Sequence, residues 1–288
     1  MIKTNDLEIS FSGQKIFSDV NIIINKKEKV GFIGRNGSGK STFLKIIIGK
    51  LEQDAGEVMM PKGYKIGHLD QHIKFSEQTV IDEVCSVLSG DREYETWKGE
   101  SILTGLGFSY DDMAKKPEEF SGGNQVKINL AKLLLMEPNM LLLDEPTAGV
   151  DIELRQNLWE NVKLLNKQGV TIILTTHYLM EAEEMCNRIG IISKGNLVAL
   201  DSTKNLIDKI QTKKVTFLLD KEINIEKITM NSLKLISNDK KKLTISYEKS
   251  KLKIDEIISY LSKQDVKILD ISTDDADIED VYIELIKN

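Results

Sequence analysis

Residues 34–42 read Gly-Arg-Asn-Gly-Ser-Gly-Lys-Ser-Thr, and this stretch decides the fold. It follows the apolar run 30–33 and precedes the apolar-rich run 43–48, an order that predicts a strand, a tight loop and a helix. In that setting the pattern GxxxxGK[ST] is typical of a loop whose backbone N–H groups surround phosphate oxygens. A glycine-rich turn without a ligand is the alternative, and the flanking strand and helix argue against it. The sequence therefore predicts that the chain binds a nucleoside triphosphate.

The loop itself supplies the candidate contacts of the phosphates. Lys40 can place its ammonium group on the β- and γ-phosphates, and the hydroxyl of Ser41 can ligate Mg²⁺. The dipole of the helix that follows adds to the attraction for the same anion. The candidate nucleotide-binding residues of the loop are Gly34, Arg35, Asn36, Gly37, Ser38, Gly39, Lys40, Ser41 and Thr42.

The composition of the chain is that of a globular protein rather than a nucleic-acid-binding or membrane-spanning one. The chain has 288 residues, of which 41% are apolar and 29% charged, as expected for one large globular domain or two unequal ones. Its formal net charge of −6 argues against a dedicated nucleic-acid-binding protein, so we expect no nucleic-acid partner. We recognise no signal peptide and no apolar run of the about 18–20 residues that a membrane span requires. Cys85 and Cys186 lack metal-binding or redox spacing and fit a reducing cytosol.

The order of predicted elements indicates an α/β fold with two domains. Apolar strands and helices alternate after residue 139, which predicts a parallel sheet covered by helices; the predicted elements are strand 140–143, helix 152–167, strand 170–174, helix 178–187 and strand 189–193. Helical spacing dominates from about residue 78 to 118 and again over 123–136, which predicts a helical subdomain at about 72–136. From about residue 212 glycine disappears and charges alternate with Ile and Leu. We therefore expect a nucleotide-binding domain at 1–211 and a small α+β accessory domain at 212–288.

Two adjacent acids end one of the predicted strands. Four apolar residues at 140–143 are followed by Asp144 and Glu145, and a buried parallel strand would deliver both carboxylates to the edge of the sheet where ligands bind. Asp144 is then a candidate Mg²⁺ ligand, and Glu145 a candidate for polarising the water that attacks the γ-phosphate. An acidic turn after a core strand is the alternative for this motif alone. Beside an intact phosphate loop we favour the catalytic interpretation.

A second anion site is predicted at the start of another helix. Ser121, Gly122 and Gly123 precede a helix with apolar spacing, and a helix N-terminus with exposed backbone N–H groups attracts phosphate as the first loop does. Two such sites in one chain suggest that one of them serves the phosphate held by another molecule.

Residues 1 to about 210 resemble the ATP-binding cassette (ABC) ATPases. Phe11 matches the aromatic residue that stacks on adenine, and residues 34–42 match the phosphate loop of that family. Gln71 matches the Q-loop glutamine that senses the γ-phosphate and Mg²⁺, and residues 121–125 match the signature segment. The resemblance implies that the nucleotide is ATP, and that the core is the RecA-like α/β fold of P-loop NTPases.

The remaining family motifs follow in the same order. Asp144 and Glu145 match the metal-binding and catalytic acids, Asp151 matches the D-loop aspartate, and His177 matches the switch histidine that contacts the γ-phosphate. The resemblance thus implies that Glu145 and His177 are catalytic and that Ser41, Gln71 and Asp144 hold Mg²⁺. One position departs from the family: Asn124 stands where the signature usually has glutamine, and Gln125 follows it. We expect activity to survive, because the serine and glycines supply the phosphate contacts.

Two branches of the family compete. The segments 101–108 and 117–120 are similar to ABC-F proteins, which are soluble factors that act on the ribosome. The segments 177–185, 192–201 and 278–285 are similar to the ATPase subunits of type-2 ABC exporters, which move drugs, antibiotics, lipids or polysaccharides. ABC-F proteins need two cassettes, whereas this sequence has one phosphate loop and one signature, so we favour the exporter. A pseudo-ATPase or a DNA-maintenance role is a third, weaker alternative.

The exporter interpretation carries expectations about partners and location. Two ATPase subunits, identical or different, are expected to pack head to tail, so that Lys40 of one and Ser121 of the other contact the same ATP. A separate membrane permease is the expected partner, which would hold the chain at the cytoplasmic face of the cell membrane. Closure of the dimer on ATP and its reopening after hydrolysis would then drive transport.

Overall fold

The chain forms two compact units, Met1–Asp201 and Ser202–Asn288. The computed structural model describes residues 1–11, 14–69, 74–222, 233–264 and 266–287. The strands of the first unit are β1 (Ile2–Phe11), β2 (Gln14–Ile24), β3 (Lys29–Ile33), β4 (Ala55–Met59), β5 (Ile66–Leu69), β6 (Met140–Asp144), β7 (Thr171–Thr176), β8 (Arg188–Ser193) and β9 (Asn196–Ser202). Its helices are α1 (Lys40–Ile47), α2 (Val80–Cys85), α3 (Thr96–Gly105), α4 (Tyr110–Met113), α5 (Gly122–Met136), α6 (Ile152–Lys167) and α7 (Leu179–Met185), with 3₁₀ turns at Gly90–Arg92 and Pro117–Glu119.

A six-stranded sheet in the order β5-β6-β7-β3-β8-β9 forms the centre of the first unit. The pairs β5–β6, β6–β7, β7–β3 and β3–β8 are parallel, which confirms the sheet predicted from the apolar strands. Ile33 lies opposite Thr176, and Asp144 lies opposite Thr175. The phosphate loop, the acidic pair and His177 therefore all follow strands that end at one edge of the sheet.

Phenylalanine rings fix helix α1 beneath the phosphate loop. Phe43 of α1 is fully buried, with its ring centroid 4.8 Å from that of Phe32 on β3 and 6.2 Å from that of Phe17 on β2. Strand β2 belongs to a second, antiparallel sheet in the order β2-β1-β4. Both sheets and α1 share one hydrophobic cluster, so the loop between β3 and α1 is held from two sides.

The predicted helical subdomain has a hydrophobic cluster of its own. Helices α2 to α5 and the loop between α3 and α4 supply its buried side chains, which are Val80, Val84, Leu103, Phe108, Met113, Ile128, Ala131 and Leu135. Helix α5 makes contacts with α2, α3 and also with β5 of the central sheet. The helix that follows the predicted second anion site is therefore anchored in the subdomain.

The second unit is an α+β structure. Its elements are α8 (Thr203–Asp208), β10 (Thr212–Leu219), β11 (Leu233–Asp239), β12 (Lys242–Glu248), α9 (Ile254–Ser262), β13 (Ile268–Asp274) and α10 (Ile278–Lys287). The strands form an antiparallel sheet in the order β11-β12-β10-β13, with a buried cluster that includes Phe217, Ile245 and Leu261. The unit begins at Ser202, ten residues before the position suggested by composition, because α8 packs against α10. Within the described residues of the chain, every helix is too short or too polar to cross a membrane.

Candidate nucleotide site

The phosphate loop adopts a backbone that requires glycine at two positions. Gly37 has a φ of 79° and Gly39 a φ of 106°, both in the left-handed region that residues with a Cβ rarely adopt. A Cβ on Gly39 would lie 2.7 Å from Cζ of Phe17, and one on Gly34 would lie 2.5 Å from the carbonyl oxygen of Ile192. The loop therefore packs tightly against Phe17 and Ile192.

A polar cavity of about 270 Å³ lies at this loop. Its lining consists of Ile16, Asn36, Gly37, Gly39, Lys40, Ser41, Thr42 and Glu145. The hydroxyl of Ser38 is buried and has no hydrogen-bond partner within the described residues. A buried hydroxyl is rarely left unpaired, and this one belongs to the phosphate loop, so a ligand that carries hydrogen-bond acceptors, as a phosphate does, would supply the missing partner.

Lys40 is buried and directed to the inside of the loop. Its Nζ donates to the carbonyl oxygens of Gly34 at 2.8 Å and Arg35 at 3.3 Å. The same Nζ lies 3.4 Å from Oε1 of Glu145, and the Lys40 side chain is only 4% exposed. The loop carbonyls and the Glu145 carboxylate thus hold the Lys40 ammonium group at the cavity wall. There it can contact a bound anion in addition to Glu145.

Ser41 and Asp144 place a hydroxyl and a carboxylate oxygen side by side. Oγ of Ser41 donates to Oδ1 of Asp144 at 3.0 Å, and Oγ1 of Thr175 donates to the same oxygen at 2.5 Å. Asp144 is 5% exposed, so its carboxylate is held in one orientation. Hydroxyl and carboxylate oxygens are ligands that suit Mg²⁺, which usually takes few protein ligands and completes its shell with water and substrate phosphates.

Glu145 and His177 lie side by side at the end of neighbouring strands. Nδ1 of His177 is 3.1 Å from Oε2 of Glu145, and the His177 ring packs against Tyr178 with centroids 4.1 Å apart. Glu145 has a φ of 47°, and its backbone N–H donates to the carbonyl oxygen of Thr175 at 2.9 Å. A left-handed backbone at a non-glycine residue costs about 1–3 kcal/mol, so the surrounding structure must hold it in place. Here it turns the carboxylate toward both Lys40 and His177.

The remaining predicted residues are placed less closely. Phe11 is the last residue of β1, is 45% exposed and pairs with Gln14 of β2. Ile16, which lines the cavity, follows Gln14 by two residues on β2. Gln71, predicted as a ligand of Mg²⁺ and the γ-phosphate, lies outside the described residues. Asp151 precedes α6, where its carbonyl oxygen accepts from the N–H of Arg155 at 3.0 Å.

The segment 121–125 lies apart from the cavity at Lys40. Ser121 caps α5 and accepts from the N–H of Asn124 at 3.4 Å, while the side chain of Gln125 donates to the carbonyl oxygen of Phe120 at 2.9 Å. Ser121 and Gly122 are exposed, and Gly122 has open space at its Cβ position. The segment 121–125 does not contribute to the cavity at Lys40, and the two segments rest on different hydrophobic clusters.

The structure adds residues that the sequence analysis did not single out. Thr175 fixes Asp144, and Ile16 forms part of the cavity wall. Two consecutive threonines at the end of an apolar strand, directly before His177, are a signal that could have indicated Thr175. Ile16 carries no comparable signal, because its role depends on how β2 crosses the loop.

Comparison with known proteins places these features in a family. The family model described as "ABC transporter" matches residues 17–148. The linearmycin resistance ATP-binding protein LnrL of Bacillus subtilis is 26% identical over 99% of this chain and 98% of its own length. The Nod factor export ATP-binding protein I of Rhizobium etli is 30% identical over 73% of this chain and 70% of its own length. A solved structure titled as the ATP-binding subunit of an ABC transporter superimposes with a TM-score of 0.64 at 25% identity, covering 73% of this chain and 92% of that one.

Proposed function

Because the chain belongs to the ABC transporter family, whose members bind and hydrolyse ATP, we propose that it is the ATPase subunit of an exporter, driving transport through a separate membrane permease. One observation carries the proposal. Lys40, Ser41, Asp144, Glu145 and His177 converge at one edge of the central sheet, although they come from three different strand ends. That arrangement supports cleavage of a phosphoanhydride as well as binding of the nucleotide.

Each residue has a role that follows from its contacts. Lys40 and the backbone N–H groups of residues 37–42 would bind the β- and γ-phosphates, with the Ser38 hydroxyl as a further donor. Ser41 and Asp144 would hold Mg²⁺, which supplies positive charge opposite the phosphate oxygens when it is bound.

Glu145 is the proposed general base. Its carboxylate would accept a hydrogen bond from the attacking water and take up its proton as the oxygen bonds to the γ-phosphorus. His177, 3.1 Å away, would keep Glu145 and the γ-phosphate in line. Phe11 and Asp151 retain their family-derived roles as proposals, in adenine stacking and in contact with the second subunit respectively.

Two copies of the subunit are proposed to share each ATP. Ser121, Gly122 and Gly123 are exposed or partly exposed at the start of α5 and are absent from the wall of the Lys40 cavity. A C2 arrangement would place this segment of one copy over the phosphates bound to the other, and would do so twice. ATP would then join the two subunits as well as be hydrolysed between them.

The names of two relatives favour an exporter over the ribosome-associated alternative. One relative is named for linearmycin resistance and another for Nod factor export. We propose that this chain likewise powers export, and that its permease holds it at the cytoplasmic face of the cell membrane.

Two measurements test the proposal. The first is recovery of the tagged chain from detergent-solubilised membranes together with a multi-span protein, whose addition to the purified chain should stimulate ATP hydrolysis. Recovery with ribosomes and stimulation by ribosomes would instead support the ABC-F interpretation.

The second measurement addresses the shared ATP. The Glu145→Gln variant should become a dimer when ATP is added, as observed by light scattering during gel filtration. Adding Ser121→Arg to this variant should prevent the dimer, whereas Ser89→Arg should not. Ser89 is an exposed serine in the same subdomain that also precedes a helical turn, so Ser89→Arg controls for the added charge and bulk. A dimer that persists with Ser121→Arg contradicts the proposed interface.

A further inference from the structure

A buried carboxylate on helix α7 contacts the two segments that carry Glu145 and His177. Glu181 is 8% exposed, and its two oxygens accept from Oγ1 of Thr147 at 2.7 and 2.9 Å. One of these oxygens also accepts from Oγ1 of Thr176 at 3.1 Å, and Nε of Arg155 lies 3.5 Å from the other. Both threonines are at most 1% exposed, so water has little access to their hydroxyl groups. The carboxylate is therefore the acceptor for two buried hydroxyls at once.

The two threonines belong to the segments that carry the catalytic pair. Thr147 lies two residues after Glu145, and Thr176 lies directly before His177. Further bonds tighten each segment: the N–H of Ala148 donates to the carbonyl oxygen of Glu145 at 3.1 Å, and the N–H of Tyr178 donates to Oγ1 of Thr176 at 3.0 Å. Glu181 thus joins the end of β6 to the end of β7, and it is not part of the wall of the Lys40 cavity.

We infer that Glu181 is a positioning residue for ATP hydrolysis, which acts by holding Glu145 and His177 in their 3.1 Å contact. This inference rests on the proposed roles of those two residues. Glu145 follows β6 with a left-handed backbone, and His177 follows β7 and is partly exposed, so the distance between the two side chains depends on how the segments after these strands are held. The buried hydroxyl–carboxylate bonds supply that constraint. A shift of the order of 1 Å at such a site can cost about 100-fold in rate.

The Thr147 hydroxyl gives the sharpest test, because valine has nearly the same shape and lacks only the donor. In the 288-residue chain, Thr147→Val should lower kcat by about 10- to 100-fold while leaving the KM for ATP within about twofold. Thr147→Ser restores the hydroxyl and should restore most of kcat. Glu181→Gln, which keeps one acceptor oxygen, should also lower kcat with little change in KM. Glu184→Gln is the control, because Glu184 lies on the same helix and pairs with Lys163 at the surface.

The outcomes separate the inference from the proposed function. If Glu145→Gln loses turnover while Thr147→Val and Glu181→Gln keep the wild-type kcat, Glu181 has no positioning role. A rise in KM without a fall in kcat, or a serine variant as slow as the valine variant, overturns the inference equally. If Glu145→Gln itself keeps normal turnover, the proposed base is wrong, whatever the other variants do. Thermal unfolding of each variant shows whether it is folded, and the valine–serine pair remains informative if Glu181→Gln does not fold.

Discussion

Glu145 and Lys40 lie within 3.4 Å of each other through Oε1 and Nζ, and both side chains are largely shielded from water. The carboxylate therefore neutralises the ammonium group that the proposed γ-phosphate would contact. Since two anions compete for one buried cation, Glu145 has opposing effects on the two parts of the reaction. Its charge favours activation of water and disfavours binding of the triphosphate.

The first prediction separates these effects with Glu145→Gln. The amide cannot take up a proton from water, so turnover should fall by about 10²- to 10⁴-fold. Affinity for ATP should stay equal or increase, because the amide no longer competes as an anion for Lys40. Calorimetry of ATP binding and a phosphate-release assay measure the two quantities. Glu52→Gln, at an exposed position after α1, should change neither. Normal turnover in the Glu145 variant contradicts its assignment as the base.

The second prediction concerns the positive charge in the loop. Lys40→Ala removes the buried ammonium and its bonds to the carbonyl oxygens of Gly34 and Arg35, so ATP affinity should fall by at least about tenfold and hydrolysis should fall further. Lys45→Ala alters the net charge equally on the same helix, but at an exposed position. Fluorescence titration with a labelled ATP analogue measures the affinities of the two variants. An equal loss of ATP affinity in both variants would show that net charge, rather than the position of Lys40, determines binding.

The third prediction uses the close packing of the loop. Gly39→Ala would bring Cβ to 2.7 Å from Cζ of Phe17 at a φ of 106°, so it combines a clash with a strained backbone. We expect a loss of about 2–4 kcal/mol in the free energy of unfolding and loss of ATP binding. Gly105→Ala is the matched control, since its Cβ position is open and its φ is not positive. Urea unfolding of both variants measures the difference, and equal stabilities would contradict the described loop geometry.

Local motifs explain why much of the site could be predicted from sequence. The phosphate loop, the acidic pair and His177 each follow an apolar strand directly, and parallel strands bring such residues to one edge without further information. The strands β6 and β7 and the helices α5 and α6 were accordingly predicted to within about two residues. The role of each residue in that set stays a prediction until its variants are measured.

Features that depend on tertiary packing escaped the sequence analysis. Strand β9 was missed because Asn196–Ser202 lacks the wholly apolar character of the buried strands and lies at the edge of the sheet. The contact of Glu181 with Thr147 joins residues 34 positions apart, and only the folded chain reveals it. The division at Ser202 depends likewise on the packing of α8 against α10.

The last prediction concerns the dependence of stability on pH. Glu83 of α2 is 1% exposed; it pairs with Lys132 of α5 and accepts from the backbone N–H groups of Ser76 at 2.8 Å and Glu77 at 3.0 Å. Burial by itself would raise the pKa of Glu83, but the bonds from Lys132, Ser76 and Glu77 hold that pKa below its ordinary value of 4.5. A carboxylate with a lowered pKa stabilises the folded state above the unfolded pKa, and this contribution is lost as the pH falls through the folded pKa.

Glu83→Gln should therefore lower the free energy of unfolding at pH 7 by about 1–3 kcal/mol and flatten its fall below about pH 4.5. Trp97 and Trp159 both lie in the first unit, so tryptophan fluorescence during urea unfolding reports on that unit alone. Measurements between pH 3 and pH 7 on the wild type, on Glu83→Gln and on the exposed-site control Glu118→Gln give the comparison. An acid-induced loss as steep in Glu83→Gln as in the wild type would show that other carboxylates, rather than the Glu83–Lys132 pair, govern the acid sensitivity of this unit.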